Sequence, residues 1–376
     1  MKKWLCTVLL AALMLLQCGC SMLKTEYYTT KDYTEDMVAS EVEVLSGSIS
    51  SYNALRHAIS LMVQRHEESG KLTFSNYDGT VSDDIAVACW EVKSDTALGA
   101  YAVDYMSYDI NRIVSYYEAE IFINYRRTAE QVESIQTVTG VSKLQKAMHD
   151  AIRDLEPTLT VRLNTTGLTQ EEIQQMVSAV YRENPLMTLI EPSVVVAVYP
   201  ESGLEKIFEL SFDYGRDPEL IRTMKEKLRK SVAQLASRAS GANSVETVYS
   251  IAEALFQSCR MVEQARTDST IDSTAYGAVV NGTADSEGAA MAFMSLCIAK
   301  GIDCTVVEGR LDKETHFWNI VTIDGASRHI DISQMTAGEP ARLYRDSEIL
   351  DRYWWDTDKY PMCGEEEEAP GVHNEE

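Results

Sequence analysis

Basic residues are scarce in this chain of 376 residues: 34 Lys and Arg face 58 Asp and Glu, for a formal net charge of −24. That balance argues against nucleic acid, because phosphate binding needs clustered cations. It also argues against peripheral attachment to anionic headgroups, which draws on the same charges. Long apolar runs are lacking too. The run Trp4–Leu16, broken only by Cys6 and Thr7, is too short to span a bilayer. The cysteines have no C-x-x-C spacing, so no zinc motif is present. Cys89, Cys259, Cys297, Cys304 and Cys363 form an odd, scattered set that defines no disulfide framework. His57, His66 and His149 lie too far apart in sequence to suggest a site. The acidic pairs Asp83-Asp84 and Glu171-Glu172 fall at helix starts, where capping accounts for them better than Ca²⁺ does. No cofactor is implied.

Hydrophobic residues make up 45% and charged residues 24%, the composition of a globular chain with real cores. The length suits two or three domains. At the start, Met1-Lys2-Lys3 is a basic n-region and Trp4–Leu16 suits the apolar core of a signal peptide. The run ends in Leu16-Gln17-Cys18-Gly19-Cys20-Ser21, which looks like a bacterial lipobox with the small Gly19 before a modified Cys20. Cys18, preceded by the bulky Gln17, is the other candidate. A plain secretory signal and an uncleaved anchor are the alternatives. Acyl chains on Cys20 would hold the protein to the outer face of a bacterial membrane without a basic patch. Residues 1–20 are thus read as a lipoprotein signal peptide, and the polar stretch 21–50 as a flexible tether.

Residues 51–239 read as an α+β region that repeats itself. A helix at Leu55–Val63, a strand at Lys71–Phe74 and an N-cap at Ser82 come first. Strands at Ala102–Tyr108 and Ile113–Tyr125 follow. The same order then returns: a helix at Val141–Leu155, a strand at Leu159–Leu163, a helix capped by Thr169, and strands at Ser193–Tyr199 and Leu204–Tyr214. The period is about 87–89 residues, longer than that of solenoid repeats. Two related units, 51–139 and 140–239, or a chance likeness of two α+β patterns, both account for it. A helix from Pro218 leads to Ser240–Ser244, the clearest boundary in the chain. Tyr101, Tyr105, Tyr108, Tyr116 and Tyr117 fit a sheet face better than a ligand groove.

Beyond residue 240 the pattern changes. Gly282-Thr283-Ala284-Asp285-Ser286-Glu287-Gly288-Ala289-Ala290 opens a helix whose apolar face is formed by Ala289, Ala290, Phe293, Met294, Cys297 and Ile298. A strand ending in Gly309 follows, then His316-Phe317-Trp318-Asn319, the turn Asp324-Gly325, and Asp331. If Asp324-Gly325 is a two-residue turn, Ile323 pairs with Ala326 and Trp318 with Asp331, which sets His316 diagonally from Asp331 on one sheet face. These residues resemble the transglutaminase-like superfamily, whose members carry G-x-x-x-C-x-G-x-A at a helix start, then H-x-W-N and a strand with Asp. Tyr353-Trp354-Trp355-Asp356 and Tyr360-Pro361 look like the end of secreted bacterial members. The resemblance implies a papain-like fold over 240–363 within an α+β protein. It also implies a nucleophile, His and Asp at Ser286, His316 and Asp331, with Trp318 and Asn319 lining the cleft. Glu365–Glu368 and the residues after them, 364–376 in all, read as an acidic, disordered tail.

Serine stands where the family has its cysteine. A cysteine beside an imidazolium at a helix start ionises near neutral pH, whereas a hydroxyl needs its proton removed during attack. Cys297 lies about three turns along the same helix, ~16 Å from its start, and Cys304 falls on the next strand; both read as core. Three readings stand: a pseudoenzyme whose cleft holds a peptide, protein or cell-wall ligand, a serine hydrolase acting on an amide or ester, and a purely structural module.

Overall fold

The computed structural model describes residues 48–364 except 166, 188 and 263–270. The expected signal peptide with Cys20, the expected tether as far as residue 47 and the expected tail beyond Gly364 lie outside the described residues. The chain is a mixed α+β protein whose described part falls into two compact units. One is built of residues up to Cys89 with Ser107–Phe122, the other of Trp90–Met106 with everything from Ile123 onward.

The first stretch runs β1 (Ser48–Ile49), α1 (Tyr52–Gln64), β2 (Ser69–Phe74), α2 (Val81–Asp95), α3 (Ala97–Ala102), β3 (Val103–Ile113) and β4 (Tyr116–Tyr125). Ser51 starts α1 by accepting the Ala54 N–H at 3.3 Å. Leu55, Ala58, Ile59 and Met62, at helical spacing, supply its buried stripe. The strands pair in the order β1-β2-β4-β3. Two expectations shift here. Helix α2 starts one residue before Ser82, on the Thr80 carbonyl, so Ser82 sits in the first turn and bonds Asp83 instead. The turn between β3 and β4 falls at Val114-Ser115, and Ile113 therefore belongs to the earlier strand.

The chain continues with α4 (Ala129–Glu133), β5 (Gln136–Thr137), α5 (Val141–Asp154), β6 (Thr158–Asn164), α6 (Gln170–Glu183), β7 (Ser193–Tyr199) and β8 (Glu205–Asp213). Thr169 and Glu172 close a capping box on α6. Strand order β5-β6-β8-β7 reproduces that of the first sheet, with helices at the same places in the order. Helix α7 (Pro218–Arg238) follows, with Asp217 as its cap and Pro218 in its first turn.

The last third comprises α8 (Ser244–Ser258), β9 (Arg260–Met261), a π-helical turn (Gly277–Asn281), β10 (Thr283–Ala284) and α9 (Ser286–Ala299). Strands β11 (Asp303–Leu311), β12 (Glu314–Ile323) and β13 (Ala326–Ile330), a short helix α10 (Asp346–Ile349) and β14 (Tyr353–Trp355) complete it. Its sheet runs β13-β12-β11-β14, antiparallel throughout. One buried cluster extends from Val138 to Ala341, so the core continues across the connection between α7 and α8. The sequence predicts an amphipathic α9. It is instead buried continuously from Gly288 to Cys297, while Ile298 is exposed, because α9 runs through the core rather than along its surface. Period-two alternation on β12 gives Phe317 and Val321 to this cluster. Trp318 and Ile320 go to a smaller one with Val307, Ile349, Trp355 and Cys363. No helix among the described residues is long and apolar enough to cross a membrane.

Candidate active site

The start of α9 is built by backbone closeness. Gly282 has φ +74, a left-handed conformation that side chains rarely adopt. Asp285, 3% exposed, caps the helix: its Oδ1 accepts the Gly288 N–H at 3.0 Å, and its Oδ2 takes the Ser273 hydroxyl. A Cβ on Gly288 would stand 2.1 Å from the Asp272 carbonyl oxygen, so only glycine lets the turn at 272–274 lie this close. Ser286 is therefore the first helical residue, at the positive end of the helix dipole, where backbone N–H groups lack intrahelical acceptors.

The turn chemistry places the other two residues. Asp324 (φ 52) and Gly325 (φ 83) are both left-handed, as a two-residue hairpin turn requires. Ile323 pairs with Ala326 and Asn319 with Ile330, which sets Trp318 opposite Asp331. Gly309 faces His316 across the sheet; a Cβ there would meet the Trp354 carbonyl oxygen at 2.3 Å and the Trp318 ring at 2.6 Å. His316 Nε2 lies 2.6 Å from Asp331 Oδ2. Tyr353 donates its hydroxyl to the same oxygen at 2.9 Å. Ser333 gives its N–H and hydroxyl to Oδ1 at 2.9 and 2.7 Å, with its oxygen 3.3 Å from His316 Nε2. Asp331 is thus held by four donors. With Nε2–H given to Asp331, the neutral ring keeps its lone pair on Nδ1.

Ser286 is not tied to that ring. Its Oγ accepts the Phe317 backbone N–H at 3.4 Å, and among the described residues no hydrogen bond joins it to His316. Glu287, next along the helix, is mostly buried, and desolvation pushes its carboxyl up to about 7, against the opposing pull of Arg182. Cys297 is fully buried within α9, and burial holds the Cys304 thiol well above its ordinary range; neither contacts His316 among the described bonds.

The neighbours expected to line the cleft lie inside the protein. Asn319 is fully buried and donates Nδ2 to Ala290 O at 3.0 Å and Thr305 O at 3.4 Å, fastening α9 to β11. Trp318 is almost wholly buried between Tyr353 and Trp355, with ring centroids at 5.1 and 5.9 Å. It borders a cavity of about 280 Å³ whose wall includes Asp331 and Tyr353 but neither Ser286 nor His316. The residues that sequence reasoning missed as part of the site are Ser333, two places after Asp331, and Tyr353. Only the Tyr-Trp-Trp stretch signalled the latter.

A second cluster invites a metal reading: ligand atoms of His329, Asp346 and Cys363 lie within 4.8 Å of one another. The donor set does not fit one. Trp318 Nε1, which can only donate, points at His329 Nδ1 at 2.9 Å. The proton of the neutral ring is therefore on Nε2, given to Asp346 at 2.8 Å, and no lone pair remains for an ion. Burial also pushes the Cys363 thiol up to about 12.

No family model matches the chain, and no curated protein matches it. Among solved structures, a TGase is similar with a TM-score of 0.28 and 11% identity, over 66% of this chain and 70% of that one. A proposed cysteine protease of Cytophaga hutchinsonii is similar with a TM-score of 0.25 and 13% identity, over 50% of this chain and 74% of that one. A proposed protease of Parabacteroides distasonis gives 0.20 and 11%, over 61% of this chain and 50% of that one. Likenesses at these TM-scores decide nothing about activity, and the functional reading rests on the site itself.

Proposed function

We propose that this is an extracytoplasmic lipoprotein, anchored through Cys20, whose transglutaminase-like domain binds a peptide, protein or cell-wall ligand without turning it over. The observation that carries the reading is the partner of Ser286: its oxygen takes the Phe317 N–H, and among the described residues no imidazole nitrogen bonds the hydroxyl. A thiol at this position could ionise by itself under the helix dipole and an imidazolium, whereas serine without a base on its proton stays inert.

The test is labelling of the full chain with a fluorophosphonate probe beside Ser286→Ala. No labelling of either protein is expected. Labelling of the parent that disappears in the variant would overturn the reading. That outcome would establish an amide or ester hydrolase with Ser286 attacking, His316 as base and Asp331 orienting it. One observation favours this second reading: His316, held by Asp331 at 2.6 Å, keeps an Nδ1 that meets no partner among the described residues. Anchoring has its own check, because Cys20→Ala should move the protein from the membrane to the soluble fraction of cells. Unchanged fractionation would remove the lipid from the account.

A further inference from the structure

Arg182 sits near the C-terminal end of α6, in the α+β stretch that precedes the site in sequence, yet its guanidinium reaches three elements of the last third. Nη1 meets Glu308 Oε2 on β11 at 2.8 Å, Nε lies 3.5 Å from Glu287 Oε1 on α9, and Nη2 lies 3.9 Å from Glu191. Its Cζ stands 5.3 Å from the centre of the Phe317 ring on β12. Those contacts are not arbitrary places on the domain. Glu287 directly follows Ser286, Phe317 directly follows His316, and the Phe317 N–H is the donor to Ser286. Glu308 pairs with Phe317 across the sheet.

We propose that Arg182 is a positioning residue of the candidate site: one guanidinium, supplied by helix α6, clamps the start of α9 to the start of β12 and sets how Ser286 faces His316. The inference rests on reading Ser286, His316 and Asp331 as a retained site. A ligand-binding role for Arg182 is the weaker account, because its forked face is already shared among three carboxylates. A rigid planar cation suits the clamp, since it can stack on Phe317 and bond carboxylates at its edge together. Lysine keeps the charge but loses the stack and the fork. The middle region then has a task in the site, and is more than a spacer between membrane and domain.

Ser286→Cys turns the position into a reporter. In the full chain, alkylation by iodoacetamide is followed across neutral pH by mass spectrometry of the peptide carrying residue 286. The reporter thiol should titrate below the ordinary value of about 8.5, and adding His316→Ala should raise it toward that value, leaving only the contribution of the helix start. Adding Arg182→Met should raise the midpoint by roughly one unit, slowing alkylation about tenfold below the midpoint. Arg182→Lys should fall between the two. If His316→Ala leaves the reporter unchanged, the retained-site reading fails. If His316→Ala shifts it while Arg182→Met and Arg182→Lys keep the parent profile, that reading survives and the role of Arg182 is overturned. Should Arg182→Met fail to fold, the lysine variant decides, and a parent-like profile there sinks the proposal.

Discussion

Two histidines on neighbouring strands each hold an aspartate, and Trp318 lies against both. His316 on β12 meets Asp331 at 2.6 Å, and His329 on β13 meets Asp346 at 2.8 Å. The Trp318 ring stacks on the first at 6.2 Å and donates Nε1–H to the second. The difference lies in the other nitrogen. His329 Nδ1 is closed by the indole, so both ring nitrogens are spent on holding the fold. His316 Nδ1 has no partner among the described residues, and the N–H of the next residue, Phe317, reaches Ser286 at a helix start. A His–Asp pair is therefore no evidence of a site by itself; the uncommitted nitrogen is what separates chemistry from scaffolding.

The sharpest way to break this contrast is to remove each ring in turn. His329→Ala should cost on the order of 3 kcal/mol, because it strands a buried indole N–H and takes the donor from Asp346. His316→Ala should cost only about 1 kcal/mol, since Asp331 keeps Tyr353 and both donors of Ser333. Denaturant unfolding of the two variants checks the order, and equal losses would mean that both pairs are structural.

Proton linkage sharpens the comparison next. Burial holds His329 below the ordinary imidazole range. As pH falls through about 6.5, the unfolded chain takes up that proton first, so stability drops toward acid. Glu287 works in the opposite sense. Its carboxyl is raised from 4.5 to about 7, so the folded state is favoured below 4.5 and that advantage fades as pH rises toward 7. Glu287→Gln should gain stability relative to the parent across that window, by about 1 kcal/mol once residual exposure is allowed for. A flat difference in stability between the two proteins from pH 4.5 to 7 would show that Glu287 titrates normally.

The smallest expected effect is that of Tyr353→Phe, which removes one of four donors from Asp331. It should cost about 0.5–1 kcal/mol and leave the Ser286→Cys reporter titrating within a few tenths of a unit of its parent. A larger shift of the reporter would mean that Tyr353, rather than Ser333, holds the pair.

Local chemistry made much of this legible beforehand. Asp324-Gly325 specifies a left-handed two-residue turn, and that turn determines the register of β12 against β13. Thr169 with Glu172 marks a helix start through bonds a few residues long, and Pro218 opens another. Period-two and helical spacing also carried the order of elements through both α+β stretches. The burial of helix α9 is not legible in this way, because its sequence is apolar nearly all round and only its neighbours decide whether such a helix has an exposed side.

What the sequence by itself determined, then, are the features whose causes lie within a few residues of one another: caps, turns, strand register and the glycines around Ser286. The tertiary structure alone decided which histidine keeps a free nitrogen and that Trp318 and Asn319 are interior. It alone brought Ser333 and Tyr353 to Asp331, and Arg182 across to Glu287. Each of these depends on side chains arriving from distant segments, and their meeting is set by packing of the whole core rather than by any local pattern.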